Sequence, residues 1–285
     1  MAASVRHDDP PRLGVCSWSL KPRGPQDLAQ KARWCGVDAL QLALDPLRTG
    51  AWGLEDCVHA MRDAGLCLRS GMMAMAGEDY STLQSIQETG GLAPDARWPD
   101  NLAAARANAL LAWRLRLPLV TFHAGFVPER RDDPRRAVLL ERLRAVIDAF
   151  GEHGVAVGLE TGQERPGTLL ELLADLQRPS AGVNFDPANL LLYGMGDPLD
   201  ALAQLAPHVR QIHVKDARGP RVAGQWGEEV PVGTGEVRWD EFFAVAARAG
   251  LRVDLMIERE AGEDRVGDIR RARDLVRGRL AGAPA

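Results

Sequence analysis

Short apolar runs recur along the chain, each bounded by turn residues and followed by a longer segment in which apolar residues return every three or four positions. The runs predict eight β-strands, near residues 13–19, 37–42, 66–72, 119–123, 155–160, 182–186, 209–214 and 253–258. The intervening segments predict amphipathic helices. The clearest covers residues 135–150, where Val138, Leu139, Leu143, Val146, Ile147 and Phe150 share one face against arginine and acidic positions. A glycine followed by an apolar residue closes several helices, as Gly36-Val37, Gly65-Leu66, Gly154-Val155 and Gly250-Leu251, and reads as a helix C-cap leading into the next strand. The longest insertions, residues 75–99 and 216–237, both follow strands.

Regular alternation of strand and helix implies parallel strands joined by right-handed crossovers, in either a closed barrel or an open doubly wound sheet. Eight strands favour closure. The turn after the first strand is Ser17-Trp18-Ser19-Leu20, which leaves no room for the glycine-rich dinucleotide fingerprint of an open sheet. The expected fold is therefore an α/β (β/α)8 TIM barrel, a single domain over residues 13–280, with a disordered leader at 1–12 and a frayed tail at 281–285. In such a barrel the loops after strands form one rim, so both insertions are expected on the active-site face.

Composition narrows the function. A length of 285 residues and 46% hydrophobic content suit one large domain, and a formal net charge of −4 supplies no basic field for nucleic acid or an anionic membrane. No apolar stretch is long enough to span a bilayer, and the polar residues 1–12 lack the apolar segment of a signal peptide, so a cytoplasmic protein with a small soluble substrate is expected. The four cysteines, Cys16, Cys35, Cys57 and Cys67, form no C-x-x-C pair, and neither disulfides nor a zinc-thiolate site is expected. Only three lysines occur, Lys21, Lys31 and Lys215.

The candidate chemistry lies at the C-terminal ends of four predicted strands, marked by Glu160, Asp186, His213 and Glu258. Any one of them alone would read as a helix cap or a solvated rim residue. Four consecutive strands ending this way bring three carboxylates and an imidazole to one rim. Hard oxygen donors with one imidazole suit one divalent ion, with Mn or Mg favoured and Zn, Co or Fe also compatible. Glu260, two residues beyond Glu258, competes for its place, because a one-residue slip of register would exchange them.

Through Gly158-Leu159-Glu160-Thr161-Gly162, Asn184-Phe185-Asp186-Pro187-Ala188-Asn189, Ile212-His213-Val214-Lys215-Asp216 and Ile257-Glu258-Arg259-Glu260, the chain resembles the sugar phosphate isomerase/epimerase group. This is the set of xylose isomerase-like barrels that includes tagatose/psicose 3-epimerases, inosose dehydratases, hydroxypyruvate isomerases and endonuclease IV. The resemblance covers roughly residues 13–275. It implies a metal held by Glu160, Asp186, His213 and Glu258, with Glu160 and Glu258 also transferring protons on opposite faces of a sugar. A metal that chelates a carbonyl and the neighbouring hydroxyl acidifies the C–H between them and stabilises the enediolate. Proton return on the opposite face gives epimerisation, return on the same face gives aldose-ketose isomerisation, and loss of a β-hydroxyl gives a dehydratase; the residues leave the three open. The alternatives are an inosose-type lyase, an endonuclease IV-like nuclease, and a non-catalytic sugar-binding barrel. The nuclease needs further histidines, whereas Ser70-Gly71-Met72 ends the third strand and residues 216–237 contain no His. Relatives often form homo-oligomers.

Further positions are candidates for substrate contact. His123 ends the fourth strand and is expected at the rim. Asn189 either hydrogen-bonds a substrate hydroxyl or caps the following helix. Lys215 shares a strand side with His213 and either faces the substrate or pairs with a neighbouring carboxylate. Trp18 and Trp226 are candidate floors for a sugar face. Arg218, Arg221, Arg259 and the backbone around Gly233 and Gly235 are phosphate candidates by position alone, and surface solvation is the expected role of the arginines.

Overall fold

In the computed structural model, residues 10–222 and 224–282 are described. Most of the leader and tail expected at the two ends lies outside them. Eight parallel strands close into a barrel: β1 (Leu13–Cys16), β2 (Ala39–Ala43), β3 (Cys67–Met72), β4 (Leu119–Phe122), β5 (Ala156–Glu160), β6 (Ala181–Phe185), β7 (Val209–Val214) and, after a short hairpin, β10 (Asp254–Ile257), which pairs with both β7 and β1. Every predicted strand is present, with ends displaced by at most three residues; β7 matches its predicted bounds and β6 is shifted by one. The first ends at Cys16 because Ser17–Leu20 turn into a 3-10 helix. Gly36, Gly65, Gly154 and Gly250 all have φ between 66° and 72°, the left-handed conformation that ends a helix and that glycine adopts without a Cβ clash.

The insertion at residues 216–237 holds structure that its glycine content concealed. Strands β8 (Asp216–Arg218) and β9 (Glu228–Val230) form an antiparallel pair on the rim. The buried Asp216 carboxylate organises it by accepting hydrogen bonds from the N–H groups of Ala217, Gly233, Gly235 and Val237 and from the Trp239 indole. The other insertion carries a helix at Leu83–Thr89, started by a capping box between Thr82 and Ser85. Gly91, at φ 68°, lets this loop lie against the end of β4; a Cβ there would stand 2.1 Å from the Ala124 carbonyl oxygen.

Two layers of opposite character fill the molecule. Outward-facing strand residues meet the helices in an apolar shell that includes Phe122, Phe150, Phe185 and Phe242, all fully buried, and each such side chain contributes roughly 1.5–3 kcal/mol of burial free energy. The barrel interior is instead polar. Ser70 Oγ donates to Gln211 Oε1 across from β3 to β7, Gln41 Nε2 donates to Thr121 Oγ1 from β2 to β4, and Arg69 pairs with Asp254 from β3 to β10. These strands are not neighbours in the sheet, so the side chains meet inside it. The register shifts opposite Leu40/Gln41 and Val183/Asn184 put one extra residue each, Arg69 and Arg210, into the neighbouring strands β3 and β7, while Gln41 and Asn184 face the interior by ordinary alternation. Among the described residues no helix is long and apolar enough to cross a membrane.

Candidate active site

Glu160 closes β5, His213 stands one residue before the end of β7, and Asp186 and Glu258 directly follow β6 and β10. The barrel brings one donor atom of each to within 4.8 Å of the others, and all four side chains are buried. His213 Nδ1 lies 3.5 Å from Glu160 Oε1, 3.6 Å from Asp186 Oδ2 and 3.4 Å from Glu258 Oε2. On the other side of the ring, Nε2 lies 2.7 Å from Gln41 Oε1 and 3.0 Å from Asn184 Nδ2; with its proton on Nε2 the ring donates to the shorter contact, Gln41, whose amide nitrogen is committed to Thr121. A neutral imidazole so oriented turns the Nδ1 lone pair toward three carboxylates. Only a cation, or a proton on Nδ1, satisfies that arrangement.

Two buried atoms make the same demand. Asp186 Oδ2 and His213 Nδ1 have no hydrogen-bond partner, although the other Asp186 oxygen accepts from the N–H groups of Ala188 and Asn189 at the start of the next helix. Unpartnered buried polar atoms are costly, and here they share one centre. The donor set of three carboxylate oxygens and one imidazole nitrogen therefore fits a divalent metal ion. Without a metal, burial works against a charged His213 ring, but the charges of Glu160 and Glu258 and the neighbouring Asp186 outweigh it and raise its pKa well above the ordinary value. Cys16, 3.7 Å from His213 Nε2, stays a thiol because burial pushes its pKa up to about 12.

The two glutamates have different partners. Glu160 accepts from Asn184 Nδ2 at 3.1 Å and Asn189 Nδ2 at 2.9 Å, and His123 Nε2 lies 3.5 Å away. Glu258 accepts from Trp18 Nε1 at 2.8 Å and Lys215 Nζ at 2.9 Å. Burial opposes the charge of each; His123 and His213 bring Glu160 below the usual carboxylate range, while Lys215 and His213 hold Glu258 well below it. The register question is decided by exposure and distance. Glu258 is buried in the cluster, whereas the Glu260 side chain is 52% exposed and reaches Lys215 at 2.7 Å.

Above this cluster opens a cavity of about 500 Å³, a size common for small-ligand sites. The phosphate candidates Arg218, Arg221, Arg259, Gly233 and Gly235 do not line it, whereas Trp18, His123, Asn189, Lys215 and Trp226 all do. Their roles shift in detail. Asp186, not Asn189, caps the helix Pro187–Leu192, and Asn189 spends its amide on Glu160. Its approach requires Gly162, at φ 140°, where a Cβ would stand 2.4 Å from that of Asn189. Lys215 pairs with Glu258 and Glu260, the carboxylate alternative. Trp18 anchors Glu258 through its N–H as well as walling the cavity; Ser17 Oγ accepts from Ala43 N and Ser19 Oγ from Arg259 N, which fixes the turn that carries it. Trp226 stands edge-on to Tyr193 with ring centres 4.8 Å apart.

Sequence reading passed over Asp45, Glu78, Tyr80, Tyr193 and the Met72-Met73 pair, which also line the cavity. A signal existed for the tyrosines: the chain has only two, and both are here. Tyr80 moreover sits in an insertion expected on the rim. Glu78 carried no such mark, because its placement depends on accepting the N–H groups of Met75 and Gly91 within the loop.

Comparison with known proteins agrees with this geometry. No curated protein matches the chain significantly in sequence. Among solved structures, the xylose isomerase domain protein from Planctomyces limnophilus superposes with a TM-score of 0.82 at 32% identity, covering 87% of this chain and 90% of that one. A xylose isomerase-like TIM barrel protein from Mycobacterium smegmatis, in complex with magnesium, gives a TM-score of 0.70 at 18% identity over 98% and 99% of the two chains. The D-allulose 3-epimerase from Methylomonas sp. in complex with D-allulose gives 0.72 at 14% identity over 97% and 100%. At the two lower identities the likeness is one of fold. The family model for the xylose isomerase-like TIM barrel matches residues 29–278, and the chain belongs to that family.

Proposed function

We propose that this protein is a divalent-metal-dependent sugar isomerase or epimerase that moves a proton on the carbon next to a carbonyl. The observation that carries the reading is the convergence of Glu160, Asp186, His213 and Glu258 on one centre, where Asp186 Oδ2 and His213 Nδ1 are buried without partners. These four residues would hold the ion, with Mn or Mg suited to three carboxylates and one imidazole. When bound, the ion supplies polarisation of the substrate carbonyl and so acidifies the adjacent C–H.

The chain's own groups do the rest. Glu160 and Glu258 reach the centre from different strands and carry unlike partners, so each can face one side of a substrate in the cavity and accept or return a proton there. Trp18 and Lys215 fix Glu258 in orientation; Asn184 and Asn189 do the same for Glu160. Trp18, Trp226 and Tyr193 offer aromatic faces for the C–H side of a sugar ring or chain, while His123 and Asn189 offer polar contacts to its hydroxyls. The test is solvent deuterium incorporation into a ketose by metal-loaded protein, followed by NMR. Wild type should label the carbon next to the carbonyl, and Glu160→Gln, compared at equal measured metal content, should lose that label while keeping its fold. Full exchange in the variant would remove Glu160 from proton transfer, and an unsaturated dehydrated product from wild type would place the reaction among the lyases.

A further inference from the structure

A sugar phosphate calls for cationic donors to its phosphate, and the cationic side chains at this cavity are already paired. Among the described residues no arginine lines it, and Lys215 is the sole lysine that does. Lys215 Nζ is held at 2.9 Å from Glu258 and 2.7 Å from Glu260. Arg259, beside the rim, pairs with Glu229 at 2.7 Å and Asp268 at 2.8 Å. Arg218 donates to the Thr234 carbonyl and stands 3.6 Å from Glu228. The Gly233 and Gly235 N–H groups, the one backbone pair that the sequence offered as a phosphate cradle, both donate to Asp216 Oδ2.

The lining is also acidic beyond what a metal would balance. Asp45, Glu78, Glu160, Glu229, Glu258 and Glu260 face the cavity, with Asp186 beneath it. Against these seven carboxylates stand Arg48 on Asp45, Arg259 on Glu229, Arg265 behind Glu229 and Glu260, and Lys215. A dication would raise the positive charges to six, one short of the carboxylates, so the filled site would still disfavour an anion. Carboxylates and aromatic rings suit the opposite partner, a molecule rich in hydroxyl donors and C–H faces.

We infer that the cavity takes an uncharged ketose and rejects its phosphate esters, and that Glu260 is a specificity-determining residue that cancels the one lysine at the mouth. The inference rests on the sugar reading above and narrows it. Repulsion at this range is weakly screened inside the cavity and more strongly at the half-exposed Glu260, so the discrimination should be greatest at low salt.

The test compares binding of D-fructose and D-fructose 6-phosphate to metal-loaded wild type and Glu260→Gln by calorimetry at low salt, with deuterium exchange measured on the same samples. The expected result is at least about tenfold weaker binding of the phosphate ester by wild type, with the gap narrowing by about tenfold in the variant, where Lys215 keeps Glu258 but loses its second carboxylate. Equal or tighter binding of the phosphate ester by wild type, with exchange observed, overturns the inference and leaves the isomerase reading standing. An unchanged gap in Glu260→Gln overturns the role of Glu260. If neither sugar binds nor exchanges, the sugar reading fails and the inference fails with it.

Discussion

The two walls of the site begin from the same side chain and reach different states. On the β5 and β6 side, Glu160 is held by amides from Asn184 and Asn189. Four residues on, the buried Glu164 has no charge partner, and burial pushes its pKa up to about 8. On the β7 and β10 side, Glu258 is held by the Lys215 ammonium and the Trp18 indole, and stays well below the ordinary carboxylate range. Among the described residues that line the cavity, the first wall carries no lysine or arginine, while the second is built around Lys215. The lesson is that position at a strand end brings a carboxylate to the centre, while the partner one layer away decides how firmly it holds its charge.

The change expected to break this contrast most severely is Lys215→Met. It leaves Glu258 buried without its cation, and breaking a buried pair costs about 3–5 kcal/mol. Urea unfolding of metal-free protein should show a loss of that order, partly recovered on adding metal. A loss within error would mean that Lys215 is not what holds the wall together. Next in size is Glu164→Gln. Because the folded-state pKa of about 8 lies above the ordinary 4.5, the folded protein keeps a proton there that the unfolded chain releases. The stability tied to this group is therefore complete below the unfolded value and is lost as pH rises through about 8. The variant should flatten the decline of stability between pH 5 and 9, by an amount on the order of a few kcal/mol, and an unchanged slope would refute the assignment.

Two smaller substitutions sharpen the comparison. Asn189→Ala removes one donor to Glu160 and Trp18→Phe one donor to Glu258. A hydrogen bond to a charged group contributes about 1.5–3 kcal/mol. Each should lower kcat/KM by about tenfold or somewhat more, with Trp18→Phe the milder because Lys215 remains on the same carboxylate. Equal or reversed effects would show that the two glutamates are held alike.

The barrel was legible because its signals are local. Apolar runs, helix-closing glycines such as Gly154 and Gly250, and polar residues at four strand ends can each be read within a few positions. Those four residues, with His123 and Lys215, follow from strand placement, whereas Asn189, Trp18 and Trp226 follow from the family resemblance and the character of their side chains. The polar layer below the centre was not legible, because a lone Gln41 or Asn184 in an apolar run does not show which side chain across the barrel it will meet. The β8–β9 hairpin hid in a glycine-rich stretch because Asp216, at one end of it, binds N–H groups up to 21 residues away. Glu78 was missed for a related reason, since its place depends on how one loop folds back against β4.

The central claim is that the four strand-end residues hold one divalent ion. Elemental analysis of the wild type and of His213→Ala, both purified without chelator and then reloaded with Mn or Mg, tests it most directly. About one metal per chain in the wild type, strongly reduced in the variant, is the predicted result. Absence of metal from reloaded wild type, or full retention in the variant, would make the cluster a structural polar network and contradict the account.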